Sequence, residues 1–175
     1  MEIYLIRHTR PEVSKDLIYG QMNVPLSQDF EEEVGKILAQ LPDWVDMLFT
    51  SPLERCKVMA ERIPARQMFV DERLKELHFG EWEGHYWSEI PETELNSWMQ
   101  DFVNQPPPGG ETLLDMQKRV LAFWEENQDS FKNKKIVIVT HAGVIRVLRA
   151  YWQAIPLHRI FDISVAYGEV YKHTF

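Results

Sequence analysis

The sequence has a single cysteine, Cys56, among its 175 residues. One cysteine excludes an internal disulfide and any metal site built from several thiolates. The chain also lacks an apolar run of the roughly eighteen residues that a membrane-spanning helix needs. Its first residues, MEIYLIRH, carry an acid where a secretory signal would carry Lys or Arg, and their apolar stretch is short. A cytoplasmic location is therefore the default expectation.

Positive charge is scarce, because 19 Lys and Arg residues against 27 Asp and Glu residues leave a net charge of −8. A protein that binds duplex nucleic acid normally shows a basic face, so we expect no nucleic-acid partner. The four histidines other than His8 and His141 show no metal-ligand spacing, and we expect no metal cofactor: His78, His85, His158 and His173. An acidic protein that binds an anion must instead concentrate a few cations at one place.

Apolar runs predict four strands in a chain that is 45% hydrophobic and 26% charged, ordinary values for a globular domain. These runs are Ile3–Ile6, Met47–Thr50, Met68–Val70 and Ile136–Thr140. A fifth and less regular strand is expected in Ala166–Lys172. The first and the last of the four runs are almost continuously apolar, which is typical of strands covered on both faces.

Helical patterns alternate with these strands. One spans Phe30–Leu41, and a second opens with Ser-Pro-Leu-Glu at Ser51, where a serine cap and a proline at the first helical position indicate a helix start. A third starts at Thr112, and the last follows His141. The alternation predicts one α/β domain over residues 1–175, a three-layer α/β/α sandwich around a mostly parallel sheet. Such sheets bind ligands at the carboxyl ends of their strands.

Two histidines occur at predicted carboxyl ends of strands. The first strand ends in Arg7-His8-Thr9, and the fourth ends in His141, which Ala142 follows at the start of a helix. The free N–H groups and the positive dipole end of that helix suit an anion. A lone histidine at a strand end is more often a surface or hydrogen-bonding residue than a catalyst. Two such ends with cationic or N–H-rich neighbours favour a functional site.

Arg55 adds a cationic side chain at a third junction between a strand and a helix. It lies in the first turn of the helix predicted from Ser51. A guanidinium is always charged and binds phosphate through two parallel hydrogen bonds. The alternative is a surface ion pair with Glu54 or Glu61. The three junctions together predict an anion site built from Arg and His side chains.

Four segments in order resemble the motifs of the histidine phosphatase superfamily, which includes the cofactor-dependent phosphoglycerate mutases. They read IRHT at Ile6–Thr9, SPLERC at Ser51–Cys56, LKELHFGEWEG at Leu74–Gly84 and VTHAGV at Val139–Val144. The segments span most of the chain, and an isolated Arg-His pair would carry no such information. The resemblance implies a phosphoglycerate mutase-like fold and phosphoryl transfer through a histidine.

The resemblance also implies a role for each matching residue. His8 corresponds to the nucleophile that attacks phosphorus and forms a phosphohistidine, which water then hydrolyses. Arg7, Arg55 and His141 correspond to the groups that hold the phosphate, so the chemistry requires positioning and charge stabilisation without a metal. Glu76 corresponds to the acid that protonates the leaving oxygen.

To act as an acid, Glu76 has to hold a proton near neutral pH. An apolar setting favours the protonated carboxyl, and we expect Leu77, Phe79 and Trp82 to supply it. Any acid of this segment could equally be solvated. The alternatives to Glu76 are its two neighbours, Glu81 and Glu83.

The sequence departs from the family pattern at Thr9, where relatives usually carry glycine. If the backbone needs a positive φ there, threonine fits poorly, so either the loop differs or the requirement is absent. Relatives often carry Asn a few residues later, where this chain has Ser14. We expect Thr9, Ser14 and the rim residue Gln21 to contact the substrate, together with the start of the last helix at Ala142.

The resemblance leaves several reactions open. Under thirty residues separate Gly84 from Thr112, which is little material for a lid, so hydrolysis is favoured over mutase chemistry. Within the family the segments are most similar to the α-ribazole phosphatase branch, which implies α-ribazole 5′-phosphate of the cobalamin pathway as substrate. The alternatives are a phosphoglycerate mutase or a phosphatase of broad range. A non-catalytic module that binds phosphorylated protein is a further alternative, against which the Trp-rich segment Trp82–Met99 argues.

Overall fold

The computed structural model describes residues 1–175 and contains five strands and five α-helices. The strands are β1 (Glu2–Arg7), β2 (Val45–Thr50), β3 (Ala65–Val70), β4 (Lys135–Thr140) and β5 (Val170–Thr174). The helices are α1 (Phe30–Leu38), α2 (Glu54–Ala60), α3 (Glu92–Gln100), α4 (Leu113–Asn127) and α5 (Ala142–Trp152). None of the helices combines the length and apolarity that crossing a membrane would require.

The strands form one sheet in the order β3-β2-β4-β1-β5. The first four strands run parallel, and β5 pairs antiparallel with β1 at one edge. The predicted mostly parallel sheet is therefore confirmed. In the register, Arg7 lies opposite Thr140, and Thr50 lies opposite Val139, so β1, β4 and β2 end side by side.

Apolar side chains cover both faces of the sheet. One core contains Leu5 and Ile138 packed against α4 and α5, and the other contains Ile6 and Val139 packed against α1 and α2. Successive residues of a strand point to opposite faces, so β1 and β4 need apolar residues at nearly every position. The prediction that both strands are covered on two faces is confirmed, as is the three-layer arrangement.

Three predicted boundaries require correction. The first helix ends at Leu38 instead of Leu41, and the last strand covers Val170–Thr174 instead of Ala166–Lys172. The second helix begins at Glu54, three residues after the predicted cap. Within this segment the Ser51 hydroxyl accepts from the N–H of Leu53, at 3.3 Å, and Leu53 itself is extended. The same hydroxyl also forms a hydrogen bond with a distant side chain, described below.

The helix α4 begins as predicted. The side chain of Thr112 accepts a hydrogen bond from the N–H of Asp115 at 2.9 Å and caps the helix. Because the cap and the apolar face of α4 lie in the same stretch of sequence, no distant contact is needed to define this start. Helix α3 differs, since none of its residues is buried.

Candidate active site

Three adjacent strand ends bring the candidate residues together. His8 follows β1, Ser51 follows β2 and His141 follows β4, and these three strands are neighbours in the sheet. The ring centres of His8 and His141 are 5.2 Å apart. Arg55 reaches the same point from the first turn of α2. The two imidazoles and Arg55 therefore share one site, and the Arg7 guanidinium lies near them, stacked on a tyrosine ring whose centre is 5.6 Å from that of His8.

The ring of His8 is oriented by a short hydrogen bond. Its Nδ1 lies 2.7 Å from the carbonyl oxygen of Thr9, which can only accept, so Nδ1 carries the proton. The other ring nitrogen, Nε2, accepts a hydrogen bond from Nε–H of Arg55 at 3.3 Å. Nε2 therefore carries a lone pair that faces a cation. This is the tautomer that a nucleophile requires.

Both histidines are almost fully buried and surrounded by cations. Burial is the largest effect that holds the pKa of His8 well below its ordinary value, and the charges of Arg55 and Arg7 add to it. Burial likewise lowers the pKa of His141, with contributions from His8 and Arg55. Since a low pKa keeps an imidazole uncharged, both rings are neutral at pH 7.

The two guanidiniums are held by backbone carbonyl oxygens. Arg55 donates to the carbonyls of Met22, at 2.8 Å, and Gly20, at 2.5 Å. Arg7 donates to the carbonyl of Val165 at 2.7 Å, and its buried Nε has no hydrogen-bond partner. Neither arginine pairs with a carboxylate, so the alternative of a surface ion pair for Arg55 is wrong. The positive charge at this site remains available to an anion.

His141 is supported by two side chains that the sequence analysis did not assign to the site. Its Nε2 lies 2.8 Å from the hydroxyl of Ser51 and 3.4 Å from the sulfur of Cys56. Burial raises the pKa of the Cys56 thiol, so the sulfur is uncharged and packs as a small buried group. The place of Ser51 directly after a strand was the available signal, and it was interpreted as a helix cap.

Glu76 lies against the first turn of α5. One carboxylate oxygen accepts from the N–H of Gly143 at 3.2 Å, and the other accepts from the N–H of Leu77 at 2.9 Å. A Cβ on Gly143 would lie 2.2 Å from the Glu76 carboxylate and 2.8 Å from Met116, so glycine is required for this approach. The carboxyl group therefore sits within one helical turn of His141.

The expected surroundings of Glu76 are only partly correct. Leu77 belongs to the main core, but Trp82 is buried in a separate cluster with Ile18 and Ile90. An apolar side chain that was not expected, Met116, also packs at Gly143, where Glu76 is held. Glu83, one of the two alternative acids, accepts from the N–H groups of Gln21 and Phe79 and holds the loop together. The other alternative, Glu81, is exposed.

The remaining predicted contacts divide into two groups. Thr9 is buried, does not have a positive φ, and has a hydroxyl without a partner, so a glycine requirement is absent here. Ala142 is buried at the start of α5. Ser14 is exposed, its hydroxyl accepts from the N–H of Asp16 at 3.4 Å, and it lines a cavity together with Tyr167. Gln21 donates to the carbonyl of Glu76 at 3.0 Å and positions that segment.

Two tyrosines cover the site and were not predicted. The Tyr167 ring lies 3.6 Å below the Arg7 guanidinium and 5.6 Å from the His8 ring. Its hydroxyl lies 2.6 Å from that of Tyr19, whose ring faces the Arg55 guanidinium at 5.0 Å. Burial and the bond to Tyr167 raise the pKa of Tyr19. The Tyr19 hydroxyl is therefore neutral, and the two tyrosine rings lie against the Arg7 and Arg55 guanidiniums.

Taken together, these groups can stabilise a tetrahedral anion. The site offers a neutral nucleophilic nitrogen, two unpaired guanidiniums and a carboxyl group, and two of its buried polar atoms lack partners: the Arg7 Nε and the Thr9 hydroxyl. Buried donors without partners are costly and rare in folded proteins. A bound anion would satisfy them. No group of three or more His, Cys, Asp or Glu side chains is placed to bind a metal ion.

Comparison with known proteins agrees with this geometry. Residues 3–175 match the family model described as histidine phosphatase superfamily (branch 1). A protein of Hydrogenobacter thermophilus, named provisionally as a second phosphoserine phosphatase, is 31% identical over 93% of this chain and 84% of its own. The 2,3-bisphosphoglycerate-dependent phosphoglycerate mutase of Neisseria meningitidis is 26% identical over 98% of this chain and 94% of its own. The crystal structure of the α-ribazole phosphatase from Shigella flexneri superposes with a TM-score of 0.85 and 25% identity, over 98% of this chain and 89% of that one.

Proposed function

The chain belongs to the histidine phosphatase superfamily, and on that premise we propose that it hydrolyses phosphate monoesters through a phosphohistidine formed at His8. One observation carries the proposal. The Nδ1–H of His8 is held by the Thr9 carbonyl, so the unprotonated Nε2 faces Arg55 at the centre of the cationic site. A neutral imidazole whose Nε2 carries a lone pair is a competent nucleophile towards phosphorus.

In the first step Nε2 of His8 attacks phosphorus in line, forming a P–N bond as the P–O bond to the leaving group breaks. The leaving oxygen takes a proton from Glu76, which lies beside the first turn of α5. In the second step Glu76 accepts a proton from water, the resulting hydroxide attacks phosphorus, and the P–N bond breaks. Inorganic phosphate leaves and the neutral His8 is restored.

The cations account for charge stabilisation during both steps. Arg7 and Arg55 lie against His8 without carboxylate partners, so their charge can compensate the oxygens of the transferring phosphoryl group. His141 is neutral and oriented by Ser51. It can donate one hydrogen bond to a phosphate oxygen without the cost of protonating a buried ring.

For the substrate, we propose α-ribazole 5′-phosphate. The structural likeness to the Shigella flexneri α-ribazole phosphatase supports this choice, and so does the resemblance in the segments Tyr19–Ser27 and Leu74–Gly84. The second candidate is phosphoserine, because a 31% identical relative carries that name. Mutase activity is less favoured, since the alignment with the Neisseria enzyme extends over 216 positions against the 175 residues here, and the mutase therefore has additional segments.

The phosphohistidine is tested by trapping it. Quenching with detergent at alkaline pH during turnover of a ³²P-labelled monoester should leave label on the protein that survives base and is lost in acid, and peptide mapping at alkaline pH should place it on His8. The His8→Ala variant should lose turnover of p-nitrophenyl phosphate by more than about a thousandfold, because no other group can attack phosphorus. Exposed His158, changed to Ala, is the matched control.

Retention of near-normal turnover by folded His8→Ala protein would contradict the proposal. Circular dichroism and thermal melting separate that outcome from unfolding of the variant. Label on another residue, with His8→Ala inactive, would also contradict it.

A further inference from the structure

An open groove of 450 Å³ lies beside the proposed active site and has no assigned occupant. Its walls come from α3, from the segment after Glu76 and from the 3₁₀ turn Leu157–Asp162. All of its lining residues are apolar, and five are aromatic: Phe79, Trp87, Leu95, Trp98, Met99, Phe102 and Phe161. The volume is within the usual range for a small-molecule site, about 300–1,000 Å³.

The aromatic rings of the groove form a continuous surface that is incompletely covered. The ring centres of Phe161 and Phe102 are 5.0 Å apart, and those of Trp98 and Phe102 are 6.1 Å apart. Phe161 is 54% exposed and Met99 is 60% exposed, although both are large and apolar. Helix α3 buries none of its residues. The groove therefore presents flat apolar faces that a ligand could cover.

Arg146 connects this groove with the proposed acid. It follows Gly143 by three residues, so the two residues lie on the same side of α5, and the backbone N–H of Gly143 holds Glu76. Its guanidinium carbon lies 5.6 Å from the ring centre of Phe161. Nε of Arg146 donates to the carbonyl of Ile163 at 2.9 Å, and no carboxylate forms an ion pair with it. Its terminal N–H groups remain free to donate.

We propose that the leaving group of the substrate extends from Glu76 past Arg146 into this groove, which binds a flat, uncharged aromatic ring carried on a hydroxyl-bearing linker. The inference rests on the proposed function, because Glu76 then marks the side on which the organic part of the ester leaves the phosphate. Arg146 would donate to hydroxyl groups of the linker. Phe161, Phe102 and Trp98 would stack on the ring.

The structure favours this occupant over a second copy of the chain. A stable dimer commonly buries about 800 Å² on each partner. This groove is concave, and only two of its seven lining side chains are strongly exposed. Arg146, whose guanidinium carbon is 5.6 Å from the Phe161 ring centre, also links the groove to the helical turn that holds Glu76, whereas a surface for self-association needs no such link.

The test compares two esters of the same primary alcohol type, α-ribazole 5′-phosphate and ribose 5-phosphate. Only the first carries an aromatic ring, so the ratio of their kcat/KM values measures binding in the groove. Phe161→Ala removes a side chain on which the aromatic ring of the ester would stack. This ratio should therefore fall about tenfold, mainly through an increase in KM of the aromatic ester. Phe161→Leu, which keeps apolar volume without a flat face, should give an intermediate ratio.

Phe175→Ala is the matched control, because Phe175 is 53% exposed and lies beyond β5 at the end of the sheet far from His8. Its ratio should equal that of the unchanged protein. Equal ratios in Phe161→Ala and the control would overturn the inference while hydrolysis of both esters continues. Failure to release phosphate from any ester would instead refute the proposed function. A dimer detected by sedimentation that Phe161→Glu dissociates, with the ratio unchanged, would assign the groove to a second copy.

Discussion

The arginines at the carboxyl edge of the sheet and those on the outer surface have different partners. Arg7 and Arg55 donate to backbone carbonyl oxygens, and neither contacts a carboxylate. Several exposed arginines instead form ion pairs with carboxylates, as in Arg62 with Glu31 at 2.6 Å and Arg159 with Asp162 at 2.8 Å. Arg119 is partly buried and combines both kinds of partner, since it pairs with Glu111 and also donates to three backbone carbonyls, those of Arg73, Lys75 and Glu76.

The difference shows how an acidic protein can bind an anion. A carbonyl oxygen orients a guanidinium without neutralising it, whereas a carboxylate does both. The chain has a net charge of −8, yet it keeps uncompensated positive charge at one buried place. The same charge, together with burial, keeps His8 and His141 neutral. One arrangement of partners therefore supports both the proposed anion site and the proposed role of His8 as the nucleophile.

The comparison is tested most strongly by removing one guanidinium of each kind. Arg55→Met should lower kcat/KM for p-nitrophenyl phosphate about a hundredfold or more, because a charge aimed at the transferring phosphoryl group is lost. Arg62→Met, which breaks the exposed pair with Glu31, should change kcat/KM less than about twofold and the free energy of unfolding by at most about 1 kcal/mol. Similar losses of activity in the two variants would show that the carbonyl-held arginine has no special role.

A second prediction concerns Glu76. Glu76→Gln keeps the shape of the side chain but removes the transferable proton, so kcat should fall about a hundredfold on alkyl phosphates such as ribose 5-phosphate. Aryl phosphates should lose much less in their first step, because their leaving groups need no proton. The exposed acid of the same segment, Glu81, changed to Gln, is the control. Equal losses on alkyl and aryl esters at the first step, measured by burst kinetics, would exclude Glu76 as the acid.

A smaller effect is expected in the dependence of stability on pH. The folded protein holds the pKa of His8 and His141 well below 6.5, so between that value and the folded pKa only the unfolded chain binds the extra protons. The free energy of unfolding should therefore be highest above pH 6.5 and fall as the pH drops, by up to about 1.4 kcal/mol per pH unit for each histidine.

Urea unfolding between pH 7.5 and 5 measures this slope. His8→Gln should make it shallower, because one of the two buried imidazoles is gone. His158→Gln, at an exposed position, should leave it unchanged. A slope that His8→Gln does not alter would mean that this histidine is not held neutral by the fold.

Much of the fold followed from local patterns. The sequence closely predicted the elements that depend on neighbouring residues. These are the apolar strands β1 and β4, the Thr112 cap and the helix after His141. The last strand was misplaced, since its pairing with β1 is decided by a partner that is distant in sequence.

The site divides in the same way. The order and identity of the motifs were enough to predict that four residues would meet: His8, Arg7, Arg55 and His141. The reason is that parallel strands place their carboxyl ends at one edge of the sheet. Only the tertiary structure decided which ring nitrogen of His8 carries the proton, since the answer depends on a carbonyl and a guanidinium brought to its two sides.

Three further features arose from tertiary contacts. They are the hydrogen bond between Ser51 and His141, the hydrogen bond between Tyr19 and Tyr167, and the close approach of Gly143 to Glu76. Each joins residues more than sixty positions apart in the chain. Local propensity describes the conformation of a short segment and the face that it buries. It contains no information on which distant side chain will be hydrogen-bonded there, because that is set by the packing of the whole sheet and its helices.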